Sequence, residues 1–191
     1  MDRFQTVHRS TLRRVTLSLW MIGCLSALSL SATSFSARAA DSGKSPPITI
    51  AVFDFELEDV SAAGAAAMGD AAADLARMLA VTAEARRVLT ESGRYVPVNT
   101  QGADAEPVKQ RSLRSCNGCD AGIALKLGAE QSLIGVVTRV GKTEYYASLV
   151  ITDTATGKVV NQQSAFFIGS EEAWASGVRL LIKHGVLAEV Q

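Results

Sequence analysis

The sequence ITIAVFDF, residues 48–55, follows Pro46-Pro47 and is an almost continuous apolar run. A strand with one face in water alternates apolar and polar residues, whereas a strand covered on both faces is apolar throughout. We therefore expect residues 48–55 to form a central strand of a sheet that has packing on both sides.

The segment that follows has the apolar period of a helix. Residues 70–92 place apolar side chains at intervals of three and four, and Gly93 ends the pattern. A second helix is predicted over residues 116–127, ended by Gly128. The side chains of the first helix that we expect to face inward are Leu75, Met78, Leu79, Thr82 and Leu89.

Short apolar runs predict the other strands. Residues 95–98 contain Pro97, which cannot donate a ladder hydrogen bond, so this strand belongs at a sheet edge. Three strands then follow in succession, joined first by a two-residue turn at Gly141-Lys142 and then by a longer turn. They cover residues 132–140, 143–153 and 158–168.

Ser170 then opens a last helix whose inward stripe is Trp174, Val178 and Leu181. The predicted order is β-α-β-α-β-β-β-α. This order is typical of an α+β domain, with a mixed sheet that ends in an antiparallel meander and a C-terminal helix.

The first 39 residues have the parts of a secretory signal peptide. A basic segment ending in Arg13-Arg14 precedes an apolar stretch at residues 15–31, and Ala37 and Ala39 fit the small-residue cleavage pattern. We expect cleavage after residue 39, a short linker at residues 40–47, and one domain over residues 48–191 in the periplasm. A retained membrane anchor is the alternative, but the apolar stretch is short and diluted by serine, which favours cleavage. We expect no stable membrane span after cleavage.

A lipid anchor is the alternative to a freely exported chain. Met21-Ile22-Gly23-Cys24 resembles a bacterial lipoprotein box, which would anchor the protein at Cys24. The apolar run continues past Cys24, which favours the ordinary signal peptide.

The charge of the exported part argues against nucleic acid as a partner. Residues 1–39 hold five of the 19 Lys and Arg residues and one of the 19 acidic residues. The remainder has 14 basic and 18 acidic residues, a net charge of −4. Nucleic-acid-binding domains carry a basic surface, which this composition does not supply.

Several blocks of the exported part resemble an uncharacterised family of secreted proteobacterial proteins, known only as a domain of unknown function. The blocks are IAVFDFELEDVS, SGRYVPV, CNGCDAGIALKLGAE and the strand pair ending in TDTATGKVV. More distantly, their order is similar to the amino-terminal domain of TolB and to the periplasmic domain of curli-secretion-channel lipoproteins. The resemblance implies a partner-binding module of the cell envelope and brings no catalytic residues.

Cys116-Asn117-Gly118-Cys119 contains the only cysteines after residue 39. In an oxidising compartment two thiols this close favour a structural disulfide. Thiol–disulfide exchange is an alternative, because the start of a helix lowers the pKa of a thiol. Binding of a soft metal is another, although a zinc site needs about four ligands and His184 is the only histidine after residue 39.

Four carboxylates follow the first apolar run: Asp54, Glu56, Glu58 and Asp59. Ligand sites in open sheets gather at the carboxyl ends of strands, so this cluster is a candidate mouth for a ligand or partner, and a solvated loop is the alternative. Asp54 stands between two phenylalanines, and Arg86 lies on the apolar face of the predicted helix. A buried Asp54–Arg86 pair would satisfy both groups, unless Arg86 extends into solvent.

Motifs of common enzyme classes are absent: there is no GxGxxG, P-loop, GxSxG or HExxH. We therefore expect an exported, non-enzymatic domain without cofactor or metal that binds another envelope protein or assists envelope assembly. Two alternatives stay open. One is a small thiol-redox or metal-handling protein that uses Cys116 and Cys119, and the other is a small-molecule-binding sensor module. The sequence leaves the oligomeric state open.

Overall fold

A computed structural model describes residues 45–66 and 70–188, which belong to one compact unit. The predicted signal peptide, the alternative anchor at Cys24 and residues 40–44 of the predicted linker lie outside the described residues. No helix in the described part of the chain has the length and apolar character needed to cross a bilayer.

Within the described residues, six strands form one mixed sheet with the order β3-β1-β4-β5-β6, and β2 pairs with β4 beside β1. Strand β1 pairs in parallel with β3 and β4, and β2 pairs in parallel with β4. Strands β4, β5 and β6 form an antiparallel meander. The strands are β1 (Ile48–Val52), β2 (Glu56–Asp59), β3 (Tyr95–Pro97), β4 (Gln131–Arg139), β5 (Glu144–Asp153) and β6 (Val159–Ile168).

Five α-helices accompany the sheet within the described residues: α1 (Ala62–Ala65), α2 (Ala71–Glu91), α3 (Glu106–Lys109), α4 (Cys119–Lys126) and α5 (Trp174–Leu181). Short 3-10 turns cover Leu113–Ser115 and Glu171–Ala173, and a π-helical turn, Ile182–Val186, follows α5. The α+β class, the terminal meander and the C-terminal helix are confirmed, with β2 as a strand that the sequence pattern did not predict.

Helices cover both faces of the sheet around β1. Helices α2 and α5 pack on one face in the larger apolar core, which includes Ile50 and Val52. Helix α4 packs on the opposite face in a smaller core, which includes Ala51 and Phe53. We call these the α2–α5 face and the α4 face. Strand β1 is therefore central and covered on both sides, as its continuous apolar sequence predicts.

The predicted strand over residues 48–55 is interrupted by an extra residue. Val52 pairs with Leu133 of β4, and Glu56 pairs with Val136. The three residues 53–55 therefore stand opposite only two residues of β4, 134 and 135. Such a bulge turns the following side chains to the other face of the sheet. As a result Phe53 lies in the α4 core and Phe55 in the α2–α5 core, although residues two apart in a regular strand share a face.

Helix α2 supplies the hydrogen bonds that the bulge removes from the ladder. The Phe55 N–H donates to Thr82 Oγ1 at 2.9 Å, in a buried position. Arg86 donates from Nη2 to the Val52 carbonyl oxygen at 2.7 Å. Since unpaired backbone groups in a core are costly, these two side chains make the bulge compatible with burial.

Three local predictions are wrong. Leu75 and Leu79 are 39% and 45% exposed, because the stripe of α2 that faces the core runs through Val81, Ala85 and Val88. The second helix begins at Cys119 and not at residue 116, because Asn117 and Gly118 adopt left-handed φ values of 55° and 88°.

The third wrong prediction is the two-residue turn at Gly141-Lys142. The N–H groups of Val140 and Gly141 both donate to the Glu144 carbonyl oxygen, at 3.0 and 3.1 Å, so the turn is one residue longer. In this longer turn Gly141 does not need a left-handed φ and does not adopt one.

Thr82→Val is expected to lower the free energy of unfolding by about 1–3 kcal/mol, because it leaves the buried Phe55 N–H without an acceptor at nearly constant volume. Urea unfolding of the exported chain measures the change. Thr90→Val is the control: Thr90 lies on the exposed side of α2 and bonds to the Arg86 carbonyl. Equal stability of both variants would show that the bulge does not depend on Thr82.

Gly135→Ala is expected to destabilise the fold by about 1–3 kcal/mol or more, because a Cβ at Gly135 would lie 2.2 Å from Cε1 of the Phe55 ring. Gly122→Ala in α4 is the matched control, since a Cβ there meets no atom within 4 Å. Combining Gly135→Ala with Phe55→Leu should cost less than the sum of the two single changes, measured by urea unfolding. Strict additivity would contradict the contact.

Candidate functional site

Asp54, the first carboxylate of the predicted mouth, lies at the bulge between two arginines. Its Oδ1 is 3.3 Å from Nη2 of Arg86, and its Oδ2 is 3.4 Å from Nη2 of Arg111. Arg86 also donates to Thr100 Oγ1 at 2.9 Å. The structure thus brings Asp54 and Arg86 together, with about a third of each side chain exposed.

Strand β2 carries the next two carboxylates away from Asp54. Glu56 is buried, and its Oε1 accepts a hydrogen bond from the Leu113 N–H at 2.5 Å while its Oε2 is 2.6 Å from Nη1 of Arg114. Glu58 is exposed and accepts from the Thr138 hydroxyl at 3.1 Å. Glu56 therefore holds the 3-10 turn before α4 against the sheet and does not face an open site.

Asp59, the fourth carboxylate, belongs to a cluster around the buried Arg139. Asp59 Oδ2 is 2.6 Å from Nη1 of Arg139. The other guanidinium nitrogen, Nη2, contacts two more carboxylates, those of Asp74 and Glu171, and the distance to Glu171 Oε1 is 3.0 Å. The guanidinium carbon also lies 5.1 Å from the centre of the Trp174 ring. This cluster joins β2, β4, α2 and the segment before α5.

The Arg139 cluster holds Asp59 as an anion. Burial raises the pKa of Asp59, but hydrogen bonds from Ser61 and Arg139 outweigh burial and leave the pKa below the ordinary value of 3.8. The cluster borders a cavity of about 470 Å³ whose charged lining is balanced. The basic side chains there are Arg77, Arg139 and Lys142, and the acidic ones are Asp70, Asp74 and Glu171. These six side chains together carry no net charge.

Cys116 and Cys119 form a disulfide, with their Cα atoms 5.6 Å apart. Both cysteines are half-buried and pack against the apolar core on the α4 face. The next residue, Asp120, is buried and accepts a hydrogen bond from the Ser132 hydroxyl of β4 at 2.5 Å. The disulfide therefore ties the start of α4 to the 3-10 turn before it, and the bond from Ser132 fixes the start of α4 to the sheet.

The described residues contain no group of three or more His, Cys, Asp or Glu side chains that could hold a metal ion. His184, the one histidine after residue 39, lies in the π-helical turn after α5, on the far side of the sheet from the disulfide.

An exposed apolar surface lies on the α4 face, and it was not among the sites predicted from the sequence. Helix α4 covers this face only as far as β4, and the outer part of the meander is open. Tyr146 is 43% exposed, Phe166 52% and Ile168 79%. The Tyr146 and Phe166 ring centres are 6.3 Å apart, on paired residues of β5 and β6. We call Tyr146, Phe166 and Ile168 the open patch.

Strand alternation in the sequence could have revealed the open patch. Phe166 and Phe167 are adjacent, so only one of them can face the core of a sheet. The structure turns Phe167 inward, where it stacks on Tyr145 at 5.4 Å, and leaves Phe166 outside. Which of the two faces is open depends on where α4 and α5 pack.

The double variant Cys116→Ser with Cys119→Ser is expected to keep the fold and lose about 2 kcal/mol of stability, because the disulfide closes a very short loop. Urea unfolding with and without a reductant measures the loss, and wild-type protein under reductant is the control. Rapid reduction of native protein by a mild thiol, with no change in stability, would favour thiol–disulfide exchange over a structural disulfide.

Solved structures resemble this chain at low sequence identity. The LpoB C-terminal domain from Salmonella enterica is 14% identical, with 66% of this chain and 87% of that chain covered and a TM-score of 0.44. Lipoprotein GNA1162 from Neisseria meningitidis is 18% identical, and the match covers 76% of this chain and 100% of that chain with a TM-score of 0.45. TolB from Acinetobacter baumannii is 10% identical, and the match covers 74% of this chain and 29% of that chain with a TM-score of 0.43. Similarity at this level assigns neither a partner nor an activity.

No curated protein matches the chain. A family model does match, over residues 48–186, which is well over half of the sequence. The match confirms the resemblance to an uncharacterised family, and the chain therefore belongs to DUF3280, a family described as protein of unknown function (DUF2380).

Proposed function

We propose that the mature chain is an exported, non-enzymatic domain that binds another protein of the cell envelope at the open patch. The observation that carries this proposal is the exposure of two aromatic side chains and an isoleucine together on one sheet face. Monomeric soluble proteins expose few contiguous apolar patches, and larger ones are typical of interaction sites. Aromatic side chains supply much of the binding energy in protein interfaces.

The polar chemistry of the fold supports a binding function over a catalytic one. Three of the four carboxylates after β1 are engaged by arginines of the same chain, and Glu58 is bonded to Thr138. These ion pairs hold loops and helices against the sheet. A general acid or base needs a group that is free to exchange a proton with a substrate, and an arginine-bound carboxylate is poorly suited to that role.

The N-terminal sequence and the disulfide support export to the periplasm. A basic segment, an apolar stretch and a small-residue cleavage pattern direct export. A bond between Cys116 and Cys119 persists in an oxidising compartment and is rare in the cytosol. Both features support a periplasmic location for the mature protein.

Phe166→Gln is the variant that tests the open patch. Purified wild-type protein, cross-linked in a periplasmic extract, should capture a protein that mass spectrometry identifies, and the two purified proteins should bind directly. Phe166→Gln should weaken that binding about thirtyfold, because loss of an interface anchor costs about 2 kcal/mol. Circular dichroism and thermal melting verify that the variant folds.

Val96→Gln is the matched control, since Val96 is 47% exposed on β3, at the opposite edge of the sheet. This variant should bind as the wild type does. Equal binding by Phe166→Gln would move the interface away from the open patch, and absence of any direct partner would contradict the proposed function.

A further inference from the structure

Strand β6 ends the sheet, and no described strand lies beyond it. The Gly169 N–H donates to the Thr143 carbonyl oxygen at 2.8 Å, toward β5. Backbone groups in a strand point alternately to its two sides. The N–H and C=O groups of the even-numbered residues from Gln162 to Ile168 therefore point away from β5, along the free edge.

The two edges of the sheet differ in how well they are protected from pairing with a strand of another chain. Strand β3 is three residues long and ends in Pro97, and short strands and proline are common means of keeping an edge from pairing. Strand β6 is ten residues long, with one irregularity at Val160, where the pairing with β5 skips a residue. The regular stretch that follows, residues 161–168, contains no proline and no charged residue. A long, uncharged edge of this kind is a template for a further strand.

We infer that β6 pairs antiparallel with β6 of a second copy of this chain. A two-fold axis perpendicular to the sheet joins each face of one copy's sheet to the same face of the other copy's sheet. Residues that stand directly opposite each other across the two β6 strands must therefore lie on the same face. A register centred on Ser164 meets this condition and joins the outward backbone groups. It places Ser164 opposite Ser164 of the second copy and Gln162 opposite Phe166, within the regular stretch of β6.

Charges at the two ends of β6 are complementary in this arrangement. Lys158 directly precedes the strand, Glu144 pairs with Ile168 at its other end, and Glu172 follows the strand. None of these three side chains forms an ion pair within the described residues. Antiparallel pairing brings Lys158 of each copy to the acidic end of the other, which gives the same favourable contact at both ends.

The middle of β6 also suits a second copy. Asn161, Gln162, Gln163 and Ser164 each carry groups that donate and accept hydrogen bonds, so the strand can pair with its own sequence without opposing like charges. The dimer would join β4-β5-β6 of both copies into one six-stranded antiparallel surface with two open patches on the same face. This inference goes beyond the proposed function, because it concerns the edge of β6 and not the open patch.

The oligomeric state tests the pairing. Wild-type mature protein should elute with twice the monomer mass in chromatography with light-scattering detection. Ser164→Lys and Ser164→Glu should each be monomeric, because like charges would face each other across the axis, and an equimolar mixture of the two should recover the dimer mass. Gln101→Lys, at an exposed loop residue, is the control and should remain dimeric.

A cross-linking variant tests the register directly. Opposite residues of a hydrogen-bonded antiparallel pair have Cα atoms about 5.5 Å apart, which a disulfide can span. Ser164→Cys should form a reducible covalent dimer on mild oxidation, and Gln101→Cys should not. Circular dichroism verifies the fold of every variant.

A monomeric wild type, a dimer that withstands both charged variants, or a mixture that stays monomeric would each overturn the β6 pairing. These outcomes differ from failure of the proposed function. A monomer whose partner binding is lost in Phe166→Gln would overturn the pairing and keep the open patch. A dimer that binds no other protein would support the pairing and contradict the proposed function.

Discussion

One extra residue in the first strand determines how this protein is built. The bulge at Asp54 sends Phe53 to the α4 core and Phe55 to the α2–α5 core, so that a single stretch of chain anchors both layers. The bulge is buried only because α2 brings Thr82 to the Phe55 N–H and Arg86 to the Val52 carbonyl. Gly135 completes the arrangement, since the Phe55 ring occupies the space where a side chain would be.

The charged residues follow from the same geometry. Once the bulge has turned β2, Glu56 points to the α4 face, where it binds Leu113 and Arg114. Asp59 reaches Arg139, whose guanidinium also lies over Trp174 at the start of α5. Breaking such a pair leaves a buried charge without a partner, so the loss of one member costs more stability than the intact pair adds.

The open patch lies at one side of the sheet, where no helix covers the meander. Helix α4 is only eight residues long and covers the sheet near β1 and β4, so the outer strands of the meander keep one face in solvent. Strand β6 adds an uncharged free edge to that face. An oxidising compartment suits such a small domain, because the disulfide at Cys116 and Cys119 holds the start of its short covering helix.

The sequence by itself determined the α+β class, the central first strand, the meander and the helix that buries Trp174, Val178 and Leu181, because apolar period and turn residues act locally. It also indicated that Asp54 and Arg86 could meet and that the two cysteines were close enough to bond. Only the tertiary structure decided that the run at residues 48–55 contains a bulge, that Glu56 is buried, and that Phe166 faces solvent while Phe167 faces the core. Each of these depends on a register with β4 or on the position of a helix that is distant in sequence, and a local pattern does not contain that information.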